Sequence, residues 1–267
     1  MNYLDLFAGI GGFALGAYWA GWRFDRHYFS EIDPWCCKLY QRRFPDAVPL
    51  GDIRVIDGAA LMADPEHGRR EHEPCNASRE GNSSEIALQS GDGWVITGGF
   101  PCQDISVAGK GAGIHGERSG LWFEYARLIG EIRPRYAIME NVGALTRRGL
   151  DAVLGSLAEI GYDAEWSDIR ASDVGAPHRR ERIWIVAYPY ESGREIYRGV
   201  RERWSESWIR KETSDEYSPG SGTEQWAIEP NVGRVAHGVP ARVDRLRGLG
   251  NSIVPQIAEL IFRQLTA

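Results

Sequence analysis

The sequence predicts an α/β fold, a mostly parallel sheet with helices on both faces. Three observations predict it. Short apolar runs alternate with segments of helical spacing, a glycine-rich turn joins the first run to the first helix, and chemistry-bearing residues follow the ends of later runs. Residues 3–7 read as a buried strand, and residues 13–22 follow with apolar positions at Phe13, Leu15, Trp19 and Trp22. A second strand ends near Ser30 and Glu31, and Pro34 suits the first turn of a helix over 35–44. Further strands are expected at 94–97, 136–140, 162–169 and 183–187, with helices over 121–132 and 150–160 and a last helix starting at Pro255.

Two segments interrupt this order. Residues 63–93 are rich in charge, Ser, Gly and Asn without sustained periodicity, as expected of a surface insertion. Residues 188–238 are rich in Arg, Ser, Glu and Trp and read as a small separate lobe or a partly ordered loop region. The expected organisation is therefore a catalytic domain over 1–187, a second region over 188–247, and residues 248–267 returning as a helix to the first domain.

A chain of 267 residues, 43% hydrophobic and 25% charged, has the composition of a soluble globular protein. No run approaches the ~18 apolar residues of a membrane span, and the first residues carry no basic, cleavable leader. A cytoplasmic location without membrane contact is expected. Cys36, Cys37, Cys75 and Cys102 show no metal-ligand spacing, so no metal is expected and each thiol is judged by its own neighbours. The net charge of −6 argues mildly against nucleic-acid binding, but residues 170–211 form a basic stretch inside the acidic chain.

The segment Asp5-Leu6-Phe7-Ala8-Gly9-Ile10-Gly11-Gly12-Phe13 runs from a strand through a glycine turn into a helix. Such a turn lets a ligand lie against the main chain. Gly9, Gly11 and Ala14 satisfy a dinucleotide fingerprint, so a nicotinamide cofactor is allowed at this point. Glu31 closes the second strand where an acid grips a ribose diol, and Asp52 follows as an acid suited to an adenine amino group. An adenosine-bearing cofactor follows; which one is open on these residues alone.

Cys102, in Gly99-Phe100-Pro101-Cys102-Gln103-Asp104-Ile105-Ser106, stands on a Gly- and Pro-bounded loop after a buried strand. That places a potent nucleophile at the carboxyl edge of the sheet. A lone cysteine is more often a small buried hydrophobe, and Cys36, Cys37 and Cys75 are read that way. Glu140, in Met139-Glu140-Asn141-Val142, ends another apolar strand and is expected to hold a proton near neutral pH. Arg180 and Arg182 alternate into the strand that follows them, on one face, where guanidiniums suit a base carbonyl and a phosphate.

Taken in order, Asp5–Phe13, Glu31, Asp52, Gly99–Ser106, Glu140-Asn141-Val142, Arg180 with Arg182, and Gly250-Asn251-Ser252 resemble the motif series of the DNA (cytosine-5) methyltransferases, in the compact form of phages and bacteria. The resemblance covers roughly 1–187 and 244–267, and it implies a Rossmann-like S-adenosylmethionine-dependent methyltransferase fold. It implies that Cys102 adds to carbon 6 of a cytosine, that Glu140 binds N3 and the exocyclic amine, and that Arg182 holds the O2 carbonyl with Arg180 in support. It also implies that S-adenosyl-L-methionine meets Phe7, Ala8, Gly9, Gly11, Gly12, Glu31, Ile32, Asp52, Ile53, Pro101, Leu121 and Asn251. Double-stranded DNA is the implied partner and a monomer the expected state. The base must leave the stack, with Ser106 and Lys110 at the phosphates and Arg194, Arg198, Arg201 and Arg203 in a target-recognition region shorter than the family's usual one. An RNA cytosine-5 methyltransferase on the same scaffold and a catalytically silent DNA-binding relative are the alternatives.

Overall fold

The computed structural model describes residues 1–63, 93–101, 120–190, 248 and 252–266. Its elements run β1 (Asn2–Leu6), α1 (Gly12–Trp19), β2 (Arg26–Ser30), α2 (Pro34–Arg43), β3 (Val48–Pro49), α3 (Gly58–Ala63), β4 (Trp94–Gly99) and α4 (Gly120–Ile132). There follow β5 (Tyr136–Val142), α5 (Leu145–Arg148), α6 (Leu150–Glu159), β6 (Tyr162–Arg170), β7 (Glu181–Pro189) and α7 (Pro255–Thr266). All seven strands join one sheet in the order β3-β2-β1-β4-β5-β7-β6. Only β7 is reversed, pairing antiparallel with both β5 and β6.

Alternation along the strands divides the core in two. Tyr3, Val95, Ile138, Trp184 and Val186 face one layer, where α1, Tyr40 of α2 and α7 pack. Leu4, Leu6, Ile96, Met139 and Ile185 face the other, beneath α4 and α6. Trp122 and Tyr125 of α4 are fully buried there. The C-terminal helix is fastened to the start of the chain, because the indole of Trp22 donates to the carbonyl of Phe262 at 3.0 Å and packs on its ring.

Some boundaries differ from expectation, each for a local reason. The first helix stops at Trp19 rather than Trp22, since Gly21 at φ 88 turns the chain out and delivers Trp22 to the core. The strand expected at 183–187 runs from Glu181 to Pro189 because both its edges are paired, so the domain limit expected at 187 falls inside β7. Within the insertion expected at 63–93, residues 64–92 lie outside the described residues, as do 191–247 of the expected recognition region. Among the described residues no helix is long and apolar enough to cross a membrane, and no group of His, Cys, Asp and Glu is placed to hold a metal ion.

Candidate active site

β1 and β4 lie side by side, with β2 and β3 beyond one and β5, β7 and β6 beyond the other. The crevice outside their carboxyl ends is where a sheet of this kind binds ligands. There Phe7, Gly9 and Gly11 all take positive φ, at 51°, 52° and 82°. Gly11 leaves no room for a side chain, since a Cβ would lie 2.7 Å from the Phe44 ring. Among the described residues, a Cβ on Gly9 would meet nothing within 4 Å.

The turn is held from several sides. Ala8 donates to the carbonyl of Ser30 at 3.0 Å, and Gly9 donates to Glu31 Oε2 at 2.8 Å. Glu31 Oε1 accepts from the backbone of Ile32 and Asp33 at 2.9 and 2.8 Å, which fixes the carboxylate beside the turn. Arg43 donates to the carbonyl of Ile10 at 3.1 Å. Ile32 is 72% exposed next to Glu31.

Other expected cofactor contacts are distributed as follows. Phe7 is half-buried, its ring 6.4 Å from that of Tyr125, while Ala8 and Gly12 are buried. A Cβ on Gly12 would fall 2.6 Å from Ile253, which brings the segment after Asn251 against the first residue of α1. Asp52 caps the short helical turn Ile53–Val55 and is gripped by the Arg54 guanidinium, which holds its carboxyl below the usual range. Ile53 turns its side chain into the core, and its carbonyl accepts from the N–H of Ile56 and from Arg127 at 3.3 and 3.4 Å. Pro101 leaves the end of β4 half-buried and Leu121 stands in the first turn of α4.

A second group of side chains gathers one strand over. Glu140, on β5, lies beside Gly99 of β4 in register, and a Cβ on Gly99 would come 2.9 Å from Glu140 Oε2. Its carboxyl is buried, which pushes it up to about 7 despite the opposing pull of Arg182 and Arg180. Arg182 Nε lies 3.0 Å from Glu140 Oε1, and Arg182 Nη1 donates to the carbonyl of Glu181 at 2.8 Å. Arg180 sits at φ 23, just ahead of β7, and donates to the carbonyl of Ser252 at 2.5 Å. The two arginines share a field with Glu140, and Arg180 is also tied to the C-terminal segment. Burial and the neighbouring Arg182 both lower the proton affinity of Arg180.

Cys102, Ser106, Lys110, Asn251, Arg194, Arg198, Arg201 and Arg203 lie outside the described residues. Cys36 and Cys37 are free thiols, and burial pushes Cys36 up to about 12 and Cys37 in the same direction, so both stay protonated. Sequence reasoning missed Asn141, whose amide donates to the carbonyl of Phe100 at 3.1 Å. That bond ties β5 to the chain two residues before Cys102. It also missed Arg43 and Tyr40 as supports of the glycine turn. Their distance in sequence from that turn left no local signal.

The sheet order and its reversed strand define a doubly wound α/β domain, with the two residue groups at one rim of its sheet. The chain matches the family model described as C-5 cytosine-specific DNA methylase over residues 1–231, and it belongs to that family. It is 35% identical over 193 residues to the type II methyltransferase M1.ScrFI of Lactococcus lactis subsp. cremoris, covering 71% of this chain and 42% of the relative. It is 28% identical over 192 residues to the type II methyltransferase M.HhaI of Haemophilus parahaemolyticus, covering 70% and 49%. The crystal structure of S. pombe Dnmt2 methyltransferase superimposes with a TM-score of 0.51 at 18% identity, over 71% of this chain and 51% of that one, and shares the fold. The chain spans about half the length, or less, of the curated relatives it matches.

Proposed function

We propose that this protein transfers a methyl group from S-adenosyl-L-methionine to carbon 5 of a cytosine rotated out of double-stranded DNA. The observation that carries the reading is Glu140: a buried carboxyl with a proton affinity near neutrality, beside Arg182 and against Gly99, three residues before Cys102. A site of that kind protonates or hydrogen-bonds a ring nitrogen at pH 7.

The crevice fits the methyl donor. The face of Gly9, open among the described residues, is proposed to admit a ligand against the main chain, Glu31, held beside the turn by Gly9, is proposed as the acceptor for ribose hydroxyls, and exposed Ile32 as an apolar wall. Phe7, Ala8, Gly11 and Gly12 complete the turn, and Asp52, Ile53, Pro101, Leu121 and Asn251 are the further contacts proposed. The bound donor supplies an electrophilic methyl group.

In this reading the Cys102 thiolate forms a bond to carbon 6, and the ring electrons move toward N3. Glu140 stabilises that charge by donating to N3 and accepting from the exocyclic amine. Arg182 serves the O2 carbonyl while keeping Glu140 in place, and Arg180 braces the pocket through Ser252. Carbon 5 would then bond the methyl carbon as its bond to the donor's sulfonium sulfur breaks, which leaves a neutral thioether; a base would take the carbon-5 proton, and the Cys102 sulfur would leave carbon 6 as thiolate. Rotating the base out costs a few kcal/mol, which Ser106, Lys110 and the arginines at 194, 198, 201 and 203 are proposed to offset through phosphate contacts. Residues 188–247 are proposed as the target-recognition region and the protein as a cytoplasmic monomer.

Bisulfite sequencing of plasmid DNA from cells expressing the protein, beside a Cys102→Ala control, tests this directly. The expected result is protected cytosines in one sequence context, lost in the control. Labelled methyl appearing on tRNA and not on duplex DNA would replace the substrate assignment.

A further inference from the structure

Beneath the glycine turn lies a buried polar network that the proposed chemistry does not use. Asp5, in the middle of β1, has no exposed surface. Its Oδ1 accepts from the Thr97 hydroxyl at 2.8 Å and its Oδ2 from the Tyr40 hydroxyl at 3.0 Å. The backbone N–H of Ala14, in the first turn of α1, also faces it and favours its charged form. Behind Thr97 stands the Tyr3 hydroxyl at 2.7 Å, and behind Tyr40 stands His27 Nε2, also at 2.7 Å.

Donor counting fixes the direction of these bonds. Thr97 has spent its hydrogen on Asp5, so Tyr3 donates to Thr97. Tyr40 has likewise spent its hydrogen, so His27 donates through Nε2. Burial lowers His27 to about 3, so it does this as a neutral ring. One chain of two hydroxyls and one of an imidazole and a hydroxyl thus end on a single carboxylate, which a helix N–H also faces.

The geometry ties this carboxylate to the turn above it. The residue that caps α1 is Gly11, which has no side chain to offer, and Asp5 supplies the missing acceptor from inside the core. Tyr40 links the two directly, since its ring would lie 3.1 Å from a Cβ on Gly11 while its hydroxyl holds Asp5. Gly9 and Gly11 take positive φ freely, but Phe7 at φ 51 is a costly conformation for a side-chain-bearing residue, and it persists only where the surroundings over-determine it.

We propose that Asp5 is a positioning residue for the cofactor: by gathering donors from β4, α2 and α1, its carboxylate holds residues 7–11 in the shape that receives the methyl donor. The inference rests on the proposed reading of that crevice. It has a consequence in pH. Burial raises Asp5 to about 7, opposed by Thr97 and Tyr40 and helped by the charge of Glu31. Protonating Asp5 puts a hydrogen where three donors already point, so one must withdraw. The groups facing it are Tyr3, Thr97, Tyr40, Tyr125, His27 and Glu31; the three tyrosines are raised by burial and His27 is lowered, so these four keep their protons fixed between pH 6 and 7.5.

Isothermal titration of the whole protein with S-adenosylmethionine at pH 6 and pH 7.5 tests the proposal. For the wild type, binding about fivefold weaker at pH 6 is expected, within the tenfold per pH unit that one proton permits. Asp5→Asn keeps the shape but not the ionisation, and its affinity should change with pH only as far as the ligand's own amine does. Tyr40→Phe removes one donor to the carboxylate, so the midpoint of the pH dependence should move up even if Asp5→Asn proves too unstable to titrate. Wild-type affinity flat over this range, or a dependence retained in Asp5→Asn, overturns the role of Asp5 and leaves the crevice assignment standing. Absence of any wild-type binding at either pH overturns both.

Discussion

Glu140 and Arg182 face each other across the antiparallel pair β5–β7 at 3.0 Å, two residues out of register, with the carboxyl buried and the guanidinium partly open. The carboxyl keeps a proton affinity near pH 7 even with a cation at hydrogen-bond distance, because desolvation outweighs the Coulombic pull. Replacing Glu140 by Gln keeps a donor and an acceptor but removes the exchangeable charge. Methyl transfer should fall by about 10²–10⁴-fold, with cofactor affinity within about twofold, read from single-turnover rates beside titration of the methyl donor.

Stability should report the same group. Glu140 is raised from 4.5 to about 7, so the folded state prefers its protonated form. That preference stabilises the protein fully below pH 4.5 and is lost as pH rises through 7. Asp5, raised from 3.8 to about 7, acts in the same direction. Wild-type denaturation midpoints should therefore decline between pH 4.5 and 7. Glu140→Gln should decline less steeply, keeping the share due to Asp5, and an unchanged slope would mean that Glu140 does not titrate in this range.

Arg182→Ala leaves the buried carboxyl without its nearest cation, with Arg180 still in its field. The Glu140 proton affinity should rise further, moving the pH midpoint of single-turnover methyl transfer upward. Stability should drop by about 1–3 kcal/mol, the usual cost of a buried polar group left unpaired. Arg182→Lys restores charge without the fork and should recover stability more than rate, which chemical denaturation and single-turnover assays would separate.

Gly9 and Gly11 make a matched pair. Both have positive φ, but only Gly11 is crowded, its prospective Cβ 2.7 Å from Phe44 and 3.1 Å from Tyr40. Gly9→Ala should cost only the backbone strain, about 1–2 kcal/mol, and yet abolish measurable binding of the methyl donor by filling the open space. Gly11→Ala should lose more stability, because the rings of α2 must also move. Equal denaturation midpoints for the two variants would contradict this contrast.

The strand-turn-helix at residues 2–19 was legible because glycine spacing and apolar runs report backbone shape directly. So was the placement of Glu140 at a strand end. The reversal of β7 was not legible, since an apolar run such as Ile183-Trp184-Ile185-Val186 carries no mark of direction. Nor was the pairing of Asp52 with Arg54, which turns an acid expected at the adenine edge partly toward its own chain. Arg180 and Ser252 are 72 residues apart, and no periodicity connects them. Contacts of that kind exist only once the sheet has closed, and Asp5 shows the same limit: its sequence position marks the strand, while its donors come from β4, α2 and α1.

Asn141 is the residue whose role follows least from the family motif and most from the coordinates. Its Nδ2 donates to the carbonyl of Phe100 and its Oδ1 accepts from the N–H of Val142 at 2.8 Å, so both ends of a buried amide are committed. The Phe100 carbonyl belongs to the peptide that enters Pro101, and Cys102 follows. Asn141→Asp keeps the size but sets a carboxylate against a carbonyl, so the exit of β4 should lose its anchor. The expected effect is a drop of about tenfold or more in covalent adduct formed with 5-fluorocytosine DNA, with affinity for the methyl donor kept, because Glu31 and Gly9 are not touched. Asn141→Ser, which retains a short donor, should recover part of the adduct. Adduct formation at the wild-type rate in Asn141→Asp, on DNA that the wild type traps efficiently, would show that this hydrogen bond does not position the nucleophile.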